Sequence, residues 1–144
     1  MRAVVLYESM TGNTREAARL IAAAARNRGH EASVYDIARP NLEELAKADV
    51  VFVGTWVDGL ILVGHRPGRA GKIKKMPVLT GKSTACFMTY AINPGDAIRK
   101  LERMVSERGG NVVARHAFHR HKLLPAVEAF TEQVLDRVGA STSV

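Results

Sequence analysis

The residues best suited to chemistry come early in the chain, in the stretch Ser9-Met10-Thr11-Gly12-Asn13-Thr14. Three hydroxyls and one carboxamide gather there around a single glycine. The apolar run Ala3-Val4-Val5-Leu6-Tyr7 precedes the stretch, and helical spacing begins near Thr14. This reads as a strand, a short polar loop and a helix. At a helix start the backbone N–H groups and the positive end of the dipole both face outward, which favours an anion, most often phosphate. Neither common nucleotide loop fits. Only Gly12 stands where a dinucleotide loop needs three glycines, and Arg15 is out of frame for the lysine of a P-loop. The donors are neutral, and they suit a phosphate held without a cationic partner.

Tyr7-Glu8-Ser9-Met10-Thr11-Gly12-Asn13-Thr14 resembles the phosphate loop of the flavodoxin family, [ST]-x-T-G-N-T, and matches it in full. The resemblance implies that Ser9, Met10, Thr11, Gly12, Asn13 and Thr14 grip the phosphate of flavin mononucleotide (FMN). It also implies a carrier that moves one electron at a time. In such a carrier the flavin holds the chemistry and no side chain need act as acid, base or nucleophile.

Positioning a flavin takes more than one loop. The chain alternates strand and helix patterns from one end to the other. Apolar strands and right-handed crossovers then give a three-layer, doubly wound, five-stranded parallel sheet. In the flavodoxin-like order 2-1-3-4-5 the switch point lies between strands one and three, and a ligand belongs beyond the C-terminal strand ends there. The expected strands are Met1 to Tyr7, Ala32 to Asp36, Val50 to Val53, Ser83 to Thr89 and Val112 to about Phe118. The expected helices start near Thr14, run over Leu42 to Ala46, open at Asn93-Pro94 with Asn93 as cap, and open at Pro125. Glycines at 29, 109 and 139 are expected to stop three of them. A long connection from Thr55 to Thr80 is expected to hold a flavin loop, then a short or irregular helix around Ala70 to Lys75. The reading is one domain over residues 1–139 with a loose tail over 140–144.

Two further loops leave the same sheet edge. The second is Gly54-Thr55-Trp56-Val57-Asp58-Gly59, with the only Trp of the chain. The resemblance assigns Trp56 to one face of the flavin ring, where indole offers a large π-surface. It assigns the Val57, Asp58 and Gly59 backbone to flavin N5. The third loop is Thr89-Tyr90-Ala91-Ile92-Asn93-Pro94-Gly95. Tyr90 is expected on the opposite face, with loop N–H groups, among them those of Ala91, Asn93 and Gly95, meeting the pyrimidine end. This loop is similar to the T-Y-G segment of short flavodoxin-like proteins, with Ala91 where a glycine stands in that segment.

The bulk numbers bound the partners. At 144 residues with 47% hydrophobic content, the chain can bury a real core. No apolar run is long enough to cross a membrane, and no signal-peptide pattern is present. With a lone cysteine, Cys86, this reads as a cytoplasmic protein. The formal charge of +7 is opposite to the acidic character of most flavodoxins. It steers toward negative surfaces, whether an acidic protein, nucleic acid or an anionic substrate, and charge alone does not choose among them. With the family resemblance, the expected partner is a redox protein with an acidic docking face, and the chain is expected to be a monomer or weak dimer. The charge also predicts that the reduced, anionic flavin is disfavoured less than in acidic relatives. No RNA or DNA module is recognisable, so nucleic acid is not expected.

Several other features are set aside. Gly81-Lys82-Ser83-Thr84 mimics the end of a P-loop, but a strand pattern follows it where a helix is required. His116, His119 and His121 stand among Arg115, Arg120 and Lys122, which reads as a solvated basic edge and not a metal site. Cys86 lies mid-strand and reads as inert core. Two alternatives to a carrier stay open: an FMN-dependent NAD(P)H:quinone or nitro reductase, and a flavodoxin-like interaction module with weak flavin binding.

Overall fold

Apolar runs too short for helices become the strands of one sheet. The computed structural model describes residues 1–9, 12–58, 66–67 and 75–142. The elements run β1 (Arg2–Tyr7), α1 (Asn13–Asn27), β2 (Glu31–Asp36), α2 (Leu42–Lys47), β3 (Val50–Asp58), β4 (Arg66–Pro67), β5 (Ser83–Tyr90), α3 (Ala97–Glu107), β6 (Asn111–His119) and α4 (Ala126–Thr142). Across the sheet the order is β2-β1-β3-β5-β6, all parallel. Counting these five alone, this is the expected 2-1-3-4-5. The two-residue β4 pairs antiparallel with the end of β3.

Alternation along each strand sends side chains to two separate cores. Ala3, Val5, Phe52, Ala85 and Phe87 face α1 and α4, where they meet Ile21, Val134 and Phe130. Val4, Leu6, Val51, Val53, Cys86 and Met88 face α2 and α3, where they meet Leu45, Leu101 and Val105. Strands covered on both faces need apolar residues at every position, which is why Val50 to Val53 reads as an unbroken run. On the first face Phe130 takes Phe52 and Phe118 edge-on, with centroids 6.1 and 5.6 Å apart. Each such ring contributes roughly 1.5–3 kcal/mol by leaving water.

Helix ends follow local chemistry. Asn41 accepts a hydrogen bond from the Glu44 N–H at 3.1 Å and caps α2. Gly29 and Gly109 follow α1 and α3 with φ of 85° and 87°, the left-handed geometry of a helix stop.

Four expectations are corrected. Strand β3 does not end at Val53 but continues to Asp58, so Gly54 to Asp58 are strand and not loop. The cause is pairing: Gly54, Thr55 and Trp56 are in register with Phe87, Met88 and Thr89. Strand β5 likewise includes Tyr90. Asn93 does not cap a helix. Its side chain accepts from the Gly95 N–H at 2.9 Å in an Asx turn, and α3 begins only at Ala97. Gly139 does not stop α4, which runs to Thr142. There the Ser141 hydroxyl donates to the Arg137 carbonyl one turn back. Most of the expected Ala70 to Lys75 helix lies outside the described residues.

Candidate functional site

Parallel strands end on one edge of the sheet, and the candidate residues collect there. The β1–β3 ladder closes with Tyr7 beside Gly54 and with the Glu8 N–H donating to the Gly54 carbonyl at 3.0 Å. On the neighbouring strands Trp56 pairs with Thr89, and Tyr90 with His119. Alternation therefore puts Trp56 on the α1 side of the sheet with Phe52, and Tyr90 on the opposite side with Cys86 and Met88.

Gly12 is the N-cap of α1, in the left-handed conformation (φ 94°), and, as a glycine, it makes no side-chain cap hydrogen bond. Its N–H donates to Ser9 Oγ at 3.0 Å, and its carbonyl accepts from the Glu16 N–H at 2.9 Å. Among the described residues beyond its chain neighbours, a Cβ at this position would meet nothing nearer than the Arg15 guanidinium at 4.0 Å. Thr14 is buried, with Oγ1 2.8 Å from Thr89 Oγ1. Its hydroxyl therefore ties α1 to the end of β5. One proton serves that pair, and the second hydroxyl proton is left to donate elsewhere.

Asn13, Trp56, Val57, Thr89, Tyr90 and Ala91 line one cleft of about 130 Å³ together with Arg120. Six residues from three separate stretches of the sequence reading thus share one space. Ser9, Gly12 and Thr14 lie beside it at the start of α1. Thr55 is fully buried within β3 and does not line the cleft. Asn93 and Gly95 are exposed and turn toward each other. Asp58 closes β3 opposite Arg66. Met10, Thr11 and Gly59 lie outside the described residues.

Arg120 is the member that sequence reading missed. It follows the last residue of β6, and its N–H donates to the Tyr90 carbonyl at 2.9 Å. His119 meets the Tyr90 ring edge-on at 5.4 Å. The signal was there in principle, since the end of any strand paired with the Tyr90 strand must reach the same edge.

Other chemistry-bearing groups stay apart. Burial pushes the Cys86 thiol well above its ordinary range, which leaves it protonated and unreactive. Burial lowers the His116 pKa as its ring packs 4.8 Å from Phe118. Lys82 donates to the carbonyls of Ala46 and Ala48 at 2.6 and 2.9 Å, closing the end of α2, so the P-loop mimic is structural. A larger groove of about 700 Å³ runs between α2 and residues 75–82. Its walls are mainly apolar (Leu42, Leu45, Met76, Val78 among them), and neither Trp56 nor a described residue of the hydroxyl loop lines it. The cleft is the better candidate on chemistry although it is smaller. Among the described residues no group of three His, Cys, Asp or Glu could hold a metal ion, and no helix is long and apolar enough to cross a membrane.

Comparison with known proteins agrees with this geometry. Residues 4–115 match the flavodoxin domain family. Among solved structures, a flavodoxin from the domain Archaea superposes with a TM-score of 0.73 at 21% identity, covering 96% of this chain and 99% of that one. Oxidised flavodoxin 1 from Bacillus cereus gives 0.70 at 23% identity, covering 94% and 98%. The rubredoxin oxygen:oxidoreductase of Desulfovibrio gigas gives 0.74 at 18% identity, with 99% of this chain covered but only 37% of that one. No curated protein matches by sequence. With a family match over most of its length and the 2-1-3-4-5 sheet beneath it, the chain belongs to the flavodoxin domain family.

Proposed function

We propose that this chain binds FMN at the cleft and serves as a one-electron carrier. The observation that carries the reading is the meeting of a glycine-capped helix start with two aromatic residues at one sheet edge. The start of α1 suits a phosphate, because its N-cap is a glycine with no side chain of its own and the helix N–H groups there favour an anion. Asn13 and the Gly12–Thr14 backbone hold that phosphate, with Ser9, Met10 and Thr11 completing the loop. Trp56 and Tyr90 rise from opposite sides of the sheet and enclose the flavin ring between them. Val57, Asp58 and Gly59 supply backbone groups to one ring edge, and Thr89 and Ala91 to the other. When bound, FMN supplies the redox chemistry, and the residues around it set how readily it takes up electrons. The partner is a redox protein with an acidic docking face, which a chain of charge +7 attracts from a distance.

A carrier and a reductase differ in access. Rings on both faces leave no room for a nicotinamide to lie against the flavin. Mixing the FMN-loaded protein anaerobically with excess NADPH is expected to bleach the flavin absorbance no faster than NADPH bleaches free FMN. Rapid bleaching by NADPH alone would make the chain a reductase.

A further inference from the structure

The cleft carries a positive charge of its own. Of the described residues that line it, Arg120 is the one with a charged side chain. Three other arginines are held by carboxylates, Arg2 by Glu31 at 2.8 Å, Arg28 by Asp136 at 2.8 Å and Arg115 by Glu102 at 2.7 Å, and Arg26, Arg108 and Arg137 donate to main-chain carbonyls, but none of these six lines the cleft. Arg120 has no carboxylate partner among the described residues. Its Nε lies 3.3 Å from His121 Nε2, and its main chain is fixed to Tyr90. A guanidinium stays protonated at any working pH, so this charge is permanent.

We propose that Arg120 is a positioning charge that raises the cleft's affinity for reduced flavin relative to oxidised flavin. The inference rests on the FMN reading above. The oxidised flavin ring is neutral. It takes up two electrons, delivered singly by the donor protein or by dithionite in the test, and one proton from solvent, and it then carries one negative charge. The FMN phosphate is present in both states, so the attraction of Arg120 for it cancels. Only the ring charge differs, and only a differential interaction moves the balance between the two states. The overall charge of +7 acts across solvent and is screened beyond about 8 Å at physiological salt, whereas Arg120, although exposed, lines the cleft itself and acts at short range.

The test is equilibrium reduction of the FMN-loaded protein by dithionite against a reference dye, with the affinity for oxidised FMN measured in parallel. Together they give the ratio of reduced to oxidised affinity. Arg120→Gln is expected to lower that ratio about ten-fold, as for one unit charge a few ångströms away in a partly exposed site. Arg120→Lys keeps the charge and is expected to keep most of the preference. Arg103→Gln removes the same charge from the exposed surface of α3 and is expected to leave the ratio unchanged. The backbone bond to Tyr90 survives all the Arg120 variants, because it uses the main chain. An Arg120→Gln ratio equal to that of the parent overturns the proposal, as does an equal fall in Arg103→Gln. If the parent binds no FMN at all, it is the FMN reading itself that fails.

Discussion

Gly54→Ala is expected to destabilise the fold by about 3 kcal/mol or more, at the upper end for an overpacked core. A Cβ at this position would lie 2.2 Å from two atoms of the Phe87 ring and 2.5 Å from a third. Real atoms do not approach so closely, so either the ring or the strand must move. Neither moves freely. Phe87 is fully buried, and the Gly54 backbone is laddered to Tyr7 on one side and Phe87 on the other. The effect should reach the cleft, since Trp56 lies two residues further along the same strand. Urea unfolding of the purified variant measures the loss. A second variant, Gly54→Ala with Phe87→Leu, removes the ring that clashes and is expected to recover part of the stability despite its smaller core. A Gly54→Ala midpoint indistinguishable from the parent's would mean that the packing of β3 on β5 is wrong.

Trp56→Ala is expected to weaken FMN binding by about 50–100-fold. The figure combines a lost apolar contact of roughly 1.5–3 kcal/mol with about 0.5–1.5 kcal/mol of ring stacking, part of which the exposed setting returns to water. Trp56→Phe keeps a flat face of smaller area and should lose only a few-fold. Trp56 is half-buried at the end of its strand, so the apoprotein should stay folded, with its circular dichroism unchanged. Equal affinity for FMN in the alanine variant would remove Trp56 from the ring site.

What the sequence discloses and what it hides divide along a physical line. The unbroken Val50 to Val53 run, the helical stripe through Ala17 and Ile21, and the stop at Gly29 depend on near neighbours, and they are legible from spacing alone. The start of α1 is legible because helical spacing begins near Thr14, and the helix opens at Asn13. Missed features depend on residues distant in the chain. Gly54 looks like a strand end until Phe87 is seen filling the space above it. Nothing near Thr14 in the chain discloses its tie to β5 until Thr89 is found 2.8 Å from its hydroxyl. Arg120 looks like one of many surface cations until β6 pairs with β5 and brings it beside Tyr90. Gly139 looks like a helix stop, yet α4 continues past it to Thr142.

A glycine-capped helix start and two aromatic residues are proposed to make one flavin site. Titrating free FMN with the folded parent protein while following flavin fluorescence tests it directly. The account predicts quenching that saturates at one FMN per chain, with riboflavin, which lacks the phosphate, binding markedly more weakly. Fluorescence that stays at the level of free FMN throughout the titration would contradict it.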